Sequence, residues 1–493
     1  MKIIIQPIAR NIILTFLTEM LVVLAFFLVY RLIGDQFAAV GVGEYSLVKK
    51  LAGFLVPLFF VGVGIGLPRY VAMAKSRDER NAFLKSAMII VGSSLLLSFL
   101  LFNSLPVFFA QIFFGDSAYS EFIFPFNIFL IGYSLHLLVY SYLRGRMRTK
   151  MFNMLQIANL TVMPLVILIF LRLTLENFVF IYGVSLIVSS LLFSVFFVDD
   201  FANFGNIANL KKNFKKLAEY SFPRVWADFA LFGILSLGAV LMAHLSSMEE
   251  VGFFVIGQSL LISLGSLISP IGVILLPEIA RLTADGAQDR IKNDVEAYMK
   301  LVLCFSLFAF FQAFIFTDWV IGFWLGSSFL GAATVVRVIF FAIVPYIFYV
   351  SMRDILDGLK ARSINTSNLL RSLIFYIIFS AVAAFYSGRI AAVIGLAAAF
   401  SLAVGLLGIF TYRSVRQIYP QKFSTDVIFF VKLFFINIAL AGTAAAIKYK
   451  FEADLISLAL IEGLTAGLYC LILFKSKDPW LKQIIFRVTA FDK

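Results

Sequence analysis

Long apolar runs recur along the chain, each followed by a short polar stretch. A helical membrane crossing needs roughly 20 mostly apolar residues. On that measure the pattern predicts an all-α integral membrane protein with fourteen spans, at 11–33, 41–66, 84–108, 122–143, 151–171, 178–198, 222–245, 252–277, 298–320, 331–352, 368–387, 390–412, 427–446 and 455–474. The connections are short, so no large soluble domain is expected; the longest polar stretch is 199–221. The first run is too long for a signal-peptide core and no small-residue cleavage site follows it, so it reads as an uncleaved span.

The polar stretches are unequal in charge. Arg69, Lys75, Arg77, Arg80 and Lys85 follow the second span; Arg144, Arg146, Arg148 and Lys150 follow the fourth; Lys211, Lys212, Lys215, Lys216 and Arg224 follow the sixth. The same holds after the eighth, tenth and twelfth, whereas 109–121 and 316–330 contain no Lys or Arg. Most of the 41 basic residues thus fall on one side, which the positive-inside rule makes cytoplasmic, with both termini. The expected location is a cell membrane, crossed many times.

Composition agrees. Apolar residues make up 61% of the chain and charged residues 14%, against roughly 25% charged in soluble domains. The net charge of +13 would suggest nucleic acid in a soluble protein; here it reflects basic membrane-flanking loops, and no nucleic-acid partner is expected. Cys304 and Cys470 lie in apolar runs without CxxC spacing and read as small core residues. With only His136 and His244, no metal site is expected. No GxxxxGK[ST] segment points to nucleotide use, so neither cofactor nor catalytic residues are expected and the chain reads as a transporter, not an enzyme.

A shift of 209 residues aligns Val42-Gly43 with Val251-Gly252, Leu51 with Leu260, Leu55 with Leu264, Leu58 with Leu267, Ile65 with Ile274 and Leu67-Pro68 with Leu276-Pro277. Six spans separate the copies, so the halves share one orientation about an axis along the membrane normal. The expected organisation is a six-helix lobe at 1–210, a second at 211–420, and two extra helices with a tail at 421–493.

Ionisable residues inside spans cost about 2.5–3.5 kcal/mol each on insertion scales and tend to face protein or a wet cavity. Glu19 in span one and Asp228 in span seven are separated by the repeat offset. They are candidates for coupling to a proton or sodium gradient; the alternative is a structural pairing with a basic neighbour such as Arg224. Lys49 and Lys50 in span two, Arg337 in span ten and Arg31 near the end of span one are candidates for a cationic cavity that receives an anionic, phosphate-bearing substrate. The alternative for these four is snorkelling to the surface. Gly62, Gly64 and Gly66 suit close helix packing or a hinge, and Glu462 and Lys432 could pair with each other.

The segments Gly43-Glu44-Tyr45-Ser46-Leu47-Val48-Lys49-Lys50 and Gly64-Ile65-Gly66-Leu67-Pro68-Arg69-Tyr70-Val71-Ala72 resemble the corresponding region of Wzx-type polysaccharide flippases of the multidrug/oligosaccharidyl-lipid/polysaccharide exporter superfamily. The resemblance implies a V-shaped, MATE-like fold. It implies movement of an undecaprenyl-diphosphate-linked oligosaccharide from the inner to the outer leaflet for O-antigen, capsule or exopolysaccharide synthesis. The lipid-linked oligosaccharide and membrane lipids would then be the partners of a monomer, with a polysaccharide polymerase acting on the exported unit. One departure is that Gln258-Ser259 stands in the second half where Lys49-Lys50 stands in the first. A cation-coupled multidrug antiporter of the same superfamily is the competing transporter. A membrane glycosyltransferase or polymerase, with Asp354 and Asp357 as its only loose candidates, is the competing enzyme.

Overall fold

The computed structural model describes residues 2–197, 207–284, 288–359, 364–386, 389–420, 423–451 and 454–475. No strand occurs among them. The chain divides into two compact units, Met1–Gly252 and Phe253–Lys493. The expected tail beyond 475 lies outside the described residues.

Unit 1 holds α1 (Lys2–Phe60), α2 (Val63–Met73), α3 (Arg77–Ser104), α4 (Pro106–Phe114), α5 (Ile123–Gly145), α6 (Thr149–Gln156), α7 (Met163–Phe170), α8 (Leu175–Ser194) and α9 (Ile207–Leu245). Helix α10 (Met248–Ala284) starts at its end and continues into the second unit. Unit 2 holds α11 (Gln288–Ile315), α12 (Thr317–Leu325), α13 (Ala333–Phe340), α14 (Ile343–Leu359), α15 (Ile364–Tyr386), α16 (Arg389–Ile418), α17 (Phe423–Lys448) and α18 (Leu455–Lys475).

The first two expected spans share α1, which breaks at Ala38 with φ 56° and ψ −164°. Phe26 meets Lys49 and Tyr30 meets Tyr45, pairs that lie almost symmetrically about Ala38. The two arms are therefore antiparallel and turn at one residue. Among the described residues, twelve helices are long and apolar enough to cross a membrane, or 13 with the bent pair Ser327–Phe340 and Ile343–Arg353 as one span. The difference from the expected fourteen lies in α1, where Ile13–Phe60 counts once. Its second arm carries Glu44, Lys49 and Lys50, too many charges to qualify as apolar alone.

Large apolar side chains such as Leu96, Leu97, Phe170 and Phe385 are exposed. In water such faces would be a liability; against lipid they are the solvent-facing surface. The interiors close on small residues and short polar bonds. A side chain at Gly132 of α5 would run into the Gly183 carbonyl of α8, and one at Gly183 into the Phe129 backbone. Where chains cannot rely on hydrophobic attraction in lipid, such small-residue contacts let backbones pack closely. Helix starts are fixed locally: Ser76 Oγ accepts from the Glu79 amide at 3.1 Å, and the Glu79 carboxylate accepts from the Lys75 amide at 3.0 Å. The start of α18 is closed by the Asp454 carboxylate, which accepts from the Ser457 amide.

In unit 2 the two extra helices pack on α11. Leu433, Leu440 and Tyr469 bury against Cys304 and Leu307, and the Tyr469 hydroxyl donates to the Cys304 carbonyl at 2.9 Å. Cys304 is thus in the core as expected, whereas Cys470 is exposed: it follows buried Tyr469 and the helix carries it about 100° around the axis.

Ala38 occupies a backbone region that only glycine adopts freely, at a strain of order 1–3 kcal/mol. Ala38→Gly should therefore raise the thermal unfolding temperature in detergent, by roughly 1 kcal/mol of stability after glycine's extra chain entropy; a lowered temperature would contradict the strain.

Candidate functional site

The α1 hairpin sets the first cation. Lys49 Nζ stands 4.8 Å from the ring centre of Phe26, 5.6 Å from Tyr45 and 5.8 Å from Tyr30. Tyr30 is held by Phe26, at 4.4 Å between ring centres, and by Ser46 Oγ, which donates to its hydroxyl at 3.1 Å. Phe178 of α8 backs Tyr45 at 5.7 Å. The rings stabilise the ammonium by about 0.5–2 kcal/mol per contact and leave its charge uncancelled. Lys50 is half-buried beside it. Neither lysine holds an ion pair among the described residues.

One turn beyond Lys50, helix α9 crosses: Phe54 meets Phe229 with ring centres 5.0 Å apart. Asp228, half-buried, precedes Phe229 on α9. Arg224, a turn earlier, folds back: its guanidinium lies 3.6 Å from the Tyr220 ring centre and donates to the Tyr220 carbonyl at 2.6 Å.

The other two predicted cations are in different settings. Arg31 Nε lies 3.0 Å from Asp35 Oδ2 at an exposed position one turn on. In unit 2, Arg337 Nη2 lies 3.4 Å from Asp318 Oδ1, and Lys448 Nζ shares that oxygen at 2.6 Å. Arg337 Nε also donates to the Phe314 carbonyl, and Lys448 to the Ile315 carbonyl, at 3.3 and 2.7 Å. Arg337 therefore belongs to a three-charge tie that fastens the end of α17 to α11, α12 and α13. A second tie joins Arg416 of α16 and Lys300 to Glu296 of α11, at 2.8 and 3.4 Å. Lys50 and Arg337 lie in different units, and Glu462 makes no ion pair among the described residues.

Glu19 accepts from Gln156 Nε2 at 3.1 Å. Here the structure adds residues that the charge pattern did not single out. Asn153, Gln156 and Asn159 recur every third position from α6 into a π-helical turn, Ile157–Val162. Asn153 donates to Thr15 Oγ1 at 3.2 Å, and Asn159 donates to His136 Nδ1 at 2.9 Å. The Tyr182 hydroxyl donates to the Asn159 carbonyl at 3.0 Å. Each of the three amides spends its NH2 group and leaves its side-chain oxygen buried with no hydrogen-bond partner among the described residues. A buried acceptor left open costs about 1–3 kcal/mol. A carboxylate and three open amide oxygens make this an acceptor-rich polar seam. The period-three amides in an apolar span were the available signal. No group of three or more His, Cys, Asp or Glu able to hold a metal occurs among the described residues.

Unit 2 also contains a cavity of about 300 Å³, walled by Leu303, Val344, Phe348, Ile409, Val427 and Phe430 among others. Its lining offers hydrocarbon contact and almost no hydrogen bonding.

Apolar outward faces, spans joined by short connections, and uncancelled cations inside a span define a polytopic membrane protein. The chain belongs to the polysaccharide biosynthesis protein family, whose model matches residues 8–283. Among solved structures, the lipid II flippase MurJ in an inward closed conformation has the same fold, with a TM-score of 0.74 at 13% identity over 95% of this chain and 99% of that one. An inward-facing MATE-family multidrug resistance transporter of the MOP superfamily aligns with a TM-score of 0.60 at 11% identity, over 80% and 94% of the two chains. The MATE multidrug transporter DinF-BH aligns with a TM-score of 0.58 at 13% identity, over 84% and 96%. No curated protein sequence matches the chain.

The Asp318 tie predicts a ranking. Asp318→Asn should lower the unfolding temperature most, because it strands both Arg337 and Lys448. Lys448→Met should lower it more than Arg337→Gln, since Lys448 is the closer and less exposed partner, 15% against 34%. Thermal unfolding of the three variants checks the order; equal, negligible shifts would remove the tie.

Proposed function

We propose that the protein is a flippase that moves an undecaprenyl-diphosphate-linked oligosaccharide from the inner to the outer leaflet of a bacterial inner membrane, supplying O-antigen, capsule or exopolysaccharide synthesis. The observation that carries this is Lys50: a lysine inside a membrane arm, beside a second lysine, with no carboxylate bonded to either among the described residues. A diphosphate is the complementary charge, and two ammonium groups attract it without reacting with it. Family membership supports a role in polysaccharide synthesis, and the MurJ-like fold supports a lipid-linked cargo. Transport by rearrangement calls for no catalytic residue and no cofactor.

The substrate-binding role then rests on Lys49 and Lys50. Arg337 and Arg31, each paired to a carboxylate, act mainly by shaping the structure around the path. Glu19, with Gln156, is the ion-coupling site for a proton or sodium gradient, and Asp228 is the second coupling carboxylate. The protein works as a monomer with cytoplasmic termini and hands its cargo to a polymerase. The MATE-like fold also fits a cation-coupled drug antiporter, but a substrate cavity for cationic drugs is a poor place for two uncancelled lysines.

In proteoliposomes, exposure of a fluorescent lipid-diphosphate oligosaccharide should fall about tenfold or more in Lys49→Ala/Lys50→Ala, the loss expected when charge-assisted contacts worth about 1.5–3 kcal/mol are removed. Arg31→Ala should retain most transport. Unchanged transfer in the lysine variant would sink the site, and efflux of organic cations in place of transfer would move the protein to the antiporters. Separately, Glu19→Gln should make transfer insensitive to an imposed proton or sodium gradient; a preserved gradient response would remove Glu19 from coupling.

A further inference from the structure

The α2–α9 contact of unit 1 carries a second cationic arrangement, apart from Lys49 and Lys50. Arg69 Nη1 donates to the Tyr220 hydroxyl at 2.6 Å, with its guanidinium 4.6 Å from the ring centre. Arg224 lies over the same ring at 3.6 Å. Two guanidinium groups from different helices are thus gathered on one phenol. Neither has a carboxylate within ion-pair distance among the described residues.

The gathering is built into the packing. Gly62 has φ +69°, and a side chain there would strike the Ser221 carbonyl; at Gly66 it would strike Ser221 Oγ and Leu217. Residues 62, 66 and 69–70 lie on one face of a helix, so the glycine contact that seats α2 on α9 delivers Arg69 to Tyr220. Tyr220 is itself fixed: Tyr70 meets it edge-on at 5.5 Å and stacks on Phe83 of α3 at 4.9 Å. Along α9, Lys212 and Lys216 share the Tyr220–Arg224 face at four-residue spacing and are exposed. Lys215, on the next face, is paired with Glu219 at 3.8 Å. Holding like charges together is unfavourable unless an anion joins them, and guanidinium forks match phosphate oxygens in bidentate geometry. Arg69 follows the expected span at 41–66 and Arg224 stands at the start of the one at 222–245, so both fall at the basic end of their spans.

We infer that Arg69 and Arg224, seated on Tyr220, form a receiving site for a lipid-borne phosphate or diphosphate at the membrane surface. Its cargo form, the diphosphate of the lipid-linked oligosaccharide, rests on the function proposed above; an anionic phospholipid has the same headgroup chemistry and does not.

The test uses the purified full-length protein and reads bound lipid by native mass spectrometry, with undecaprenyl diphosphate and phosphatidylglycerol as separate probes. Arg69→Gln/Arg224→Gln should weaken binding by about tenfold or more, as loss of two charge-assisted contacts implies. Weakening confined to undecaprenyl diphosphate makes the site a cargo receiver. Weakening of both probes makes it a general lipid-phosphate site, and this result stands even if the protein flips no oligosaccharide. Undiminished binding of both overturns the inference. Unfolding curves establish that the variant is folded. Should it not be, Arg69→Lys/Arg224→Lys, which keeps the charge and loses the fork, decides: reduced binding supports the site and wild-type binding overturns it.

Discussion

Charge inside hydrocarbon has to be answered, and most of this structure can be understood from how each ionised side chain is answered. Asp318 takes both Arg337 and Lys448, Glu296 takes both Arg416 and Lys300, and Asp35 takes Arg31. The Asp318 and Glu296 groups spend their charge on tying helices together, whereas Arg31–Asp35 is an exposed pair within one arm. Among the described residues, Lys49 receives only the faces of three rings, and Lys50 has no bonded carboxylate. A cation compensated by a fixed carboxylate has little left for a ligand, whereas one compensated by ring quadrupoles still attracts an anion. The same chemistry thus separates charges that fasten helices from charges left uncancelled among residues that look alike in the sequence.

The acceptor-rich seam in unit 1 follows a parallel logic with dipoles. Asn153, Gln156 and Asn159 turn their donors toward Thr15, Glu19 and His136 and leave their oxygens open. A π-turn inserts an extra residue into the helical repeat, and such turns gather at functional sites. Here it falls on Asn159, where α5, the α6–α7 span and α8 meet through His136 and the Tyr182 hydroxyl.

The architecture was largely legible because hydrophobic length is a direct readout of lipid thickness. Every described helix long enough to cross falls on an expected run, and the merged arms of α1 account for the difference in number. The repeat sets a boundary at 210 and the contacts set one at Gly252, because a repeat records ancestry and contacts record which neighbours a helix packs on. Helix α9 packs on α1, α2 and α3 within unit 1. Charged candidates could be picked from the sequence because ions in apolar runs stand out. Their partners could not, because Lys448 reaches Asp318 through three-dimensional proximity between residues 130 positions apart. The neutral amides of the π-turn carry no charge to draw the eye, though their period of three was present.

The turn at Ala38 contains no loop. Elsewhere a connection can gain or lose residues at the surface with little consequence. Here each arm continues as helix up to the single reversing residue, so the hairpin has no slack. One added residue would advance an arm by about 1.5 Å and rotate it by about 100°, enough to swing Lys49 out from among Phe26, Tyr30 and Tyr45. Between residues 26 and 49 the chain is thus governed by its length as strictly as by its letters: substitutions there act on the strength of the charge site, while insertions and deletions act on whether it assembles.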